Sequence, residues 1–67
     1  MCQATVYVDR EGEIKEVRRD VILLESVEGG LRVSTFFEKP LVLNARVQRI
    51  DFLKHSVILE SEEEGGD

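Results

Sequence analysis

Hydrophobic and polar residues alternate along most of the chain, a pattern typical of β-strands that bury one face. The first such segment runs from Met1 to Val8, where Ala4, Val6 and Val8 share one parity. Glu13 to Val17 continues the alternation, and no segment offers ten residues with clean helical spacing. The pattern therefore predicts an all-β protein.

Turn signals divide the chain into short strands that recur about every eight to twelve residues. Glu28-Gly29-Gly30 is the strongest signal, because glycine tolerates the backbone conformations of a hairpin turn. Pro40 restricts Phe36–Pro40 to a loop or a strand edge. The other predicted turns are Asp9–Gly12, Arg18–Asp20 and Lys54–His55. In 67 residues these strands fit a small SH3-like or Sm-like barrel of five to six short strands.

Two segments depart from simple alternation. Val21–Leu24 is apolar on both faces, so we expect the core to cover one face and a second copy of the chain to cover the other. In the long strand that begins at Leu41, the apolar positions change parity between Val47 and Ile50. This shift predicts a bulge or a sharp bend, as a small barrel requires.

The charges divide the chain into a neutral body and an acidic end. Residues 1–59 contain nine acidic side chains and all nine lysines and arginines, whereas the last eight residues contain five acids. Such a run repels itself and has nothing to bury. We therefore expect one β-barrel domain over residues 1–60 and a flexible, disordered acidic tail over residues 61–67.

The small size and the residue types limit how the domain is stabilised. A domain this short buries only about 60% of its unfolded surface, so we expect oligomerisation to support it. One cysteine excludes an internal disulfide, and no CxxC pair is present for structural zinc. We expect no signal peptide, and no apolar run in the sequence approaches the ~20 residues that span a membrane. The expected location is the cytoplasm.

Cys2 is the single cysteine, and its position beside the amino terminus provides donors that a mid-chain cysteine lacks. Its sulfur and its own nitrogen can close a chelate ring around a metal. That nitrogen is a free amine if Met1 is removed, and an amide beside the Met1 amine if Met1 stays. Such planar donors suit Ni(II) or Cu(II), whereas zinc prefers a tetrahedron. Alternatively, Cys2 is a small buried residue, because it shares the parity of Ala4.

Three segments, in order along the chain, carry a likeness to a known family. They are Met1-Cys2-x-Ala4-x-Val6-Tyr7, the hairpin Gly29-Gly30-Leu31-Arg32-Val33, and Ala45-Arg46-Val47-x-x-Ile50-Asp51-x-Leu53-x-His55-x-Val57-Ile58-Leu59-Glu60. Together with the chain length, they resemble the CooT family of small nickel-binding proteins over nearly the whole chain except the acidic tail. Phe36-Phe37-Glu38-Lys39 departs from the family pattern, which has a Leu-Phe-Gly-Glu turn there.

The resemblance implies a small β-barrel homodimer that binds Ni(II) through Cys2, with Cu or Zn as alternatives in vitro. It also implies a carrier or chaperone that delivers nickel to an enzyme such as carbon monoxide dehydrogenase. With the resemblance added, we favour Cys2 as a metal ligand over Cys2 as a buried residue. Two processed chains would supply two amines and two thiolates to one nickel, whereas an unprocessed chain would supply three donors by itself.

The main alternative is an RNA-binding Sm-like module, or a small protein-interaction module with no metal. Related sequences have been catalogued as predicted RNA-binding proteins, and Tyr7, Phe36 or Phe37 could stack on bases. The neutral body argues against nucleic acid as a partner, because a basic surface normally drives such binding. We expect the arginines to pair with neighbouring acids instead; they are Arg18, Arg19, Arg32, Arg46 and Arg49.

The remaining candidate residues offer weaker chemistry. His55 is interpreted as a partly exposed turn residue, because no second donor lies at ligand spacing from it. A terminal cysteine can act as a nucleophile, but no titratable partner is placed near Cys2 by spacing. We therefore predict no enzyme activity and no catalytic residue. Phe36, Phe37 and Phe52 are expected to be core or dimer contacts.

Overall fold

The computed structural model describes residues 3–62, and within them it contains six β-strands and no helix. The β1–β2 turn falls at Glu11–Gly12 and the β2–β3 turn at Glu28–Gly29. The all-β class and the number of strands are therefore confirmed. The strands are β1 (Ala4–Arg10), β2 (Glu13–Val27), β3 (Gly30–Thr35), β4 (Leu41–Leu43), β5 (Ala45–Asp51) and β6 (Ser56–Ser61).

The strands form one mixed sheet in the order β4-β3-β2-β1-β6-β5. All neighbours are antiparallel except β1 and β6, which run parallel with Thr5 beside Ser56. Within residues 3–62, no ladder joins the edge strands β4 and β5, so the sheet is not closed into a barrel by hydrogen bonds. The sheet is strongly curved. This curvature brings β3 into contact with β5, although three strands lie between them in the strand order of the sheet.

One face of the curved sheet buries a small core. Val6 and Leu59 are fully buried at adjacent strands, and Ala4 and Val8 pack against the same cluster. The predicted inward parity of Ala4, Val6 and Val8 is therefore confirmed. The buried residues come from five of the six strands; they are Val6, Val21, Leu31, Val33, Ala45, Val57 and Leu59.

The turn predicted at Arg18–Asp20 is wrong, because β2 continues without a break from Glu13 to Val27. The chain bends there instead, and Asp20 has a positive φ of 60°. A register shift follows between Val21 and Leu23, which places Val21 in the core and leaves Leu23 exposed on the outer face. A bulge in β2 thus partly explains why Val21–Leu24 is apolar on both faces.

The second half of the chain does not form the single long strand that the sequence predicts from Leu41. Asn44 separates β4 from β5, so the predicted strand from Leu41 is divided into two. The predicted irregularity after Val47 is confirmed by a register shift between Val47 and Arg49. The division at Asn44 lets β4 pair with β3 while β5 pairs with β6 at the other edge of the sheet.

Candidate metal site

Cys2 lies outside the described residues, so its role as a metal ligand stays a prediction. The described chain leads to it directly, because β1 begins at Ala4 and Gln3 precedes it. The register places the start of β1 in one row with Val21, Thr35, Ser56 and Asp51 of the other strands. We call the end of the sheet beyond this row the N-terminal end.

Two loops flank the start of β1 at the N-terminal end. The β3–β4 loop, residues 36–40, follows Thr35, and the β5–β6 turn, residues 52–55, follows Asp51. Their hydrophobic side chains are exposed: Phe37 by 94%, Leu53 by 89% and Phe52 by 82%. The aromatic residues of these loops therefore do not belong to the core of the single chain, and the expected alternative, that they are dimer contacts, stays a prediction. Phe36 is also exposed, and its ring lies 6.1 Å from that of Phe37.

His55 lies beside the start of β1. Its carbonyl oxygen accepts a hydrogen bond of 2.9 Å from the amide of Thr5, and its φ is 53°. The side chain is exposed and lines a cavity of about 180 Å³ together with Gln3, Asp51 and Phe52. The interpretation of His55 as an exposed turn residue is confirmed, and the fold additionally places it within a few residues of the amino terminus.

The described residues do not by themselves form a metal site. Within residues 3–62, no group of three or more His, Asp or Glu side chains is placed to hold an ion. Carboxylates here serve other contacts; Asp51 Oδ1, for example, accepts a hydrogen bond of 3.0 Å from the amide of Lys54. A nickel ion at this end would therefore depend on donors from Cys2 and the amino terminus.

The arginines largely pair with acids, as predicted. Arg32 Nη2 lies 2.7 Å from Glu25 Oε1 across β2 and β3, and Arg18 Nε lies 3.1 Å from Glu38 Oε1. Arg19 pairs with Glu16, and Arg46 with both Glu60 and Glu62. Four of the five arginines considered for phosphate contacts are thus engaged with carboxylates, which leaves little basic surface for nucleic acid.

The pair of Arg19 and Glu16 shows the electrostatic effect of such contacts. Two hydrogen bonds of 3.0 Å from Arg19 hold the pKa of Glu16 below its usual value of 4.5. The same bonds raise the pKa of Arg19. Both side chains are exposed at the surface of β2, so the pair is a solvated feature, and it lines a shallow depression together with Phe37 and Glu38.

The opposite end of the sheet has a different character. An open groove of about 470 Å³ lies between the first half of β2 and the corner where Asn44 joins β4 to β5. Its lining mixes Arg10 and Lys15 with Glu13 and Glu16, and β6 ends there at Ser61. Within residues 3–62, no helix is long and apolar enough to cross a membrane.

Sequence reasoning placed Cys2 at the start of a strand but missed the exposure of the apolar residues in the two loops that flank the start of β1. The signal was present, because both loops combine two adjacent apolar residues with a lysine: Phe36-Phe37-Glu38-Lys39 and Phe52-Leu53-Lys54-His55. Sequence spacing alone cannot bring them together, since the parallel pairing of β1 with β6 joins distant parts of the chain.

Of the comparisons with known proteins, one identifies the family and another supports the fold. The chain matches the family described as "CO dehydrogenase accessory protein CooT" over residues 1–60. A crystal structure of a candidate CooT from Carboxydothermus hydrogenoformans is similar, with a TM-score of 0.83 and 24% identity over 92% of this chain and 100% of that one. No match is found among curated proteins. The family consists of accessory proteins, in agreement with the prediction that this chain is not an enzyme. The chain belongs to the CooT family of carbon monoxide dehydrogenase accessory proteins.

Proposed function

We propose that this protein is a cytoplasmic, homodimeric nickel carrier that delivers Ni(II) to carbon monoxide dehydrogenase. The observation that carries the proposal is the family match over residues 1–60, since the family's description ties the chain to that enzyme. An accessory protein with no catalytic site of its own acts by supplying or preparing a component of its client. Nickel is the component that fits the donor chemistry of the amino terminus.

Cys2 anchors the metal in this proposal. Its sulfur and the terminal nitrogens offer a planar set of donors, which suits Ni(II) better than zinc. The described residues supply no competing cluster of three or more ligands, so specificity rests on the terminus. Two arrangements follow: one nickel shared by two processed chains, or one nickel held by each unprocessed chain. In both, the cysteine binds as a thiolate, so nickel affinity falls as pH falls and the sulfur protonates.

The dimer is supported by the apolar surface. The outer face of β2, β3 and β4 exposes Ile22, Leu23 and Val42 by 43%, 48% and 53%. A single sheet of this size, with one buried face, has a small core for its length. A second copy against the outer face would bury these side chains, as the two-faced apolar pattern of Val21–Leu24 predicts.

Native mass spectrometry with stoichiometric Ni(II), run on the wild type and on Cys2→Ser, tests the proposal. We expect one nickel per dimer or one per chain in the wild type, with loss of the metal in Cys2→Ser. Nickel retention should decrease as pH is lowered. His55→Ala is the matched control, because it changes the other candidate donor at this end. Wild type without nickel, or Cys2→Ser that retains it, contradicts the proposal.

A further inference from the structure

The start of β1 borders a small open cavity whose lining is mainly apolar. Ala4, Ile50 and Val57 contribute to this lining, and the cavity measures about 180 Å³. Phe52 extends the apolar wall from the β5–β6 turn, although the residue is 82% exposed. Exposed apolar surface of this kind is stabilised when another group covers it.

Backbone hydrogen bonds fix the cavity wall relative to β1. The amide of Thr5 donates to the carbonyl oxygen of His55 at 2.9 Å, and the parallel pairing of Thr5 with Ser56 follows directly. Within the turn, the amide of Lys54 donates to Asp51 Oδ1 at 3.0 Å. The wall therefore stands at a defined place beside the residues that lead into β1.

The connectivity of the chain brings Cys2 to this cavity. Gln3 and Ala4 both line it, and Cys2 is bonded to Gln3. Two residues of extended chain span about 7 Å, so the Cα atom of Cys2 lies no farther than that from the Cα atom of Ala4. Side chains two positions apart in a strand share a face, so a backward continuation of β1 turns the Cys2 side chain towards the cavity.

We propose that this cavity receives the Cys2 side chain, and that Ile50 and Phe52 form the wall that shields its sulfur from water. Cysteine suits an apolar cavity, because a free cysteine behaves as a small hydrophobic residue and is among the most buried types. For the metal, the inference rests on the proposed function. Apolar surroundings of a metal ligand limit the access of solvent, so the wall slows the loss of nickel to water.

The covalent link favours Cys2 over a second copy of the chain as the occupant. A side chain of the same chain fills the cavity without the entropic cost of association, which a second copy would bear. Stable interfaces bury about 1,000 Å² or more, so a second copy would need contacts well beyond this cavity. The choice does not depend on charge, since the lining is mainly apolar.

Alkylation of the nickel-free protein by iodoacetamide tests the cavity without any metal, because Cys2 is the single cysteine. We expect Phe52→Ser to react about tenfold faster than wild type, since apolar burial raises the pKa of a thiol and each unit lowers the thiolate fraction about tenfold. Leu53→Ser is the matched control, because Leu53 is the next residue, is 89% exposed and is not part of the lining. Its rate should stay within about twofold of wild type, as is usual for surface substitutions.

A second pair of variants approaches the cavity from β5. Ile50→Ser should also accelerate alkylation, because Ile50 forms the strand side of the wall. Val47→Ser is its control, since Val47 is exposed by the same 44% on the same strand but does not line the cavity. Far-UV circular dichroism establishes that each variant is folded. Phe52 and Ile50 lie on different elements, so unfolding of one variant leaves the other as the test.

Transfer of nickel to excess EDTA measures the effect of the wall on the metal. The loss of thiolate-to-nickel absorption gives the dissociation rate. Phe52→Ser should release nickel about tenfold faster than wild type, because changes in the surroundings of metal ligands typically alter affinity by about 10- to 100-fold. Leu53→Ser should release it within about twofold of the wild-type rate.

The outcomes separate the cavity from the carrier function. Wild-type Cys2 that reacts as fast as the cysteine of a synthetic peptide of residues 1–8 overturns the proposal. A slow wild-type rate that stays unchanged in Phe52→Ser and Ile50→Ser also overturns it. So does faster alkylation that accompanies loss of a dimer in native mass spectrometry, because a second copy would then be the shield. A protected Cys2 that binds no nickel supports the cavity and refutes the carrier, whereas an unprotected Cys2 that binds nickel does the reverse.

Discussion

At the scale of single residues, Gly30 is the most constrained of the described glycines. It begins β3 directly after the hairpin turn and has a φ of 141°, a conformation that side chains rarely adopt. A Cβ atom there would overlap the carbonyl oxygen of Leu43 in the neighbouring strand. Backbone atoms cannot rotate away as a side chain can, so β4 and β3 require glycine to pair closely.

Gly30→Ala should therefore destabilise the protein by about 2–4 kcal/mol, because it adds a backbone clash to the strain of the positive φ. Urea unfolding measures the loss. Gly12→Ala is the control: φ is 87° there, but nothing lies within 4 Å of an added Cβ. Its cost should be about 1 kcal/mol, from conformational strain alone. Equal losses at the two glycines would contradict the role assigned to the Leu43 carbonyl.

At the scale of elements, β2 bends where the sequence predicts a turn. Asp20 takes the left-handed conformation in mid-strand, and the register shifts just beyond it, between Val21 and Leu23. The first half of β2 pairs with β1 and the second half with β3. A single bent strand thus serves both halves of the curved sheet and lets Val21 reach the core.

Asp20→Val should destabilise the protein by about 1–2 kcal/mol, because a β-branched side chain is strongly disfavoured at a φ of 60°. Asp20→Asn should change stability by less than about 0.5 kcal/mol, since Asn tolerates this region as well as Asp does. Chemical denaturation of both variants gives the comparison. A valine variant as stable as the asparagine variant would mean that the strand can straighten without loss.

The sequence predicted the elements well wherever alternation was uninterrupted. Val6 and Leu59 are buried as their parity indicates, and the irregularity after Val47 is a real register shift. The prediction failed at Arg18–Asp20 because three polar residues read as a turn, whereas tertiary pairing with β1 and β3 keeps them in a strand. The parallel pairing of β1 with β6 is non-local, and no short-range pattern specifies it.

Only part of the candidate site could be predicted from the sequence. The position of Cys2 follows from the sequence, together with the donors beside it. The surroundings do not, because the pattern predicts Phe37 as a core or dimer contact, and only the sheet order places the loops of Phe37 and Leu53 on both sides of β1. The exposure of an apolar residue depends on which side chains pack over it. The periodicity of the sequence indicates only on which face of the strand the residue lies.

At the scale of the whole molecule, the exposed apolar surface is large compared with the buried core. Seven hydrophobic residues are buried within residues 3–62, whereas ten large ones are exposed. Burial of this apolar surface against a partner stabilises the complex by about 25 cal/mol per Å². The proposed dimer supplies such burial on the outer face of β2, β3 and β4, where Leu23 and Val42 lie.

A dimer of this kind makes thermal stability depend on protein concentration, because dilution favours separated, unfolded chains. A tenfold increase in concentration contributes about 1.4 kcal/mol per dimer. With an unfolding entropy of about 2.1 cal/mol/K per residue over two chains, the thermal midpoint should rise by about 5 °C for each tenfold step. Scanning calorimetry over a hundredfold range, with light scattering, measures this dependence.

Leu23→Ser identifies the face responsible. Leu23 is 48% exposed on β2, so its replacement leaves the core intact, but it removes apolar area from the outer face. We expect the variant to be monomeric at low concentration, with a midpoint that no longer shifts as the protein is diluted. Ile14→Ser, equally exposed at the other end of the sheet, should keep the wild-type dependence. A wild-type midpoint independent of concentration, with a monomer in solution, would exclude the dimer and leave each chain to carry its nickel alone.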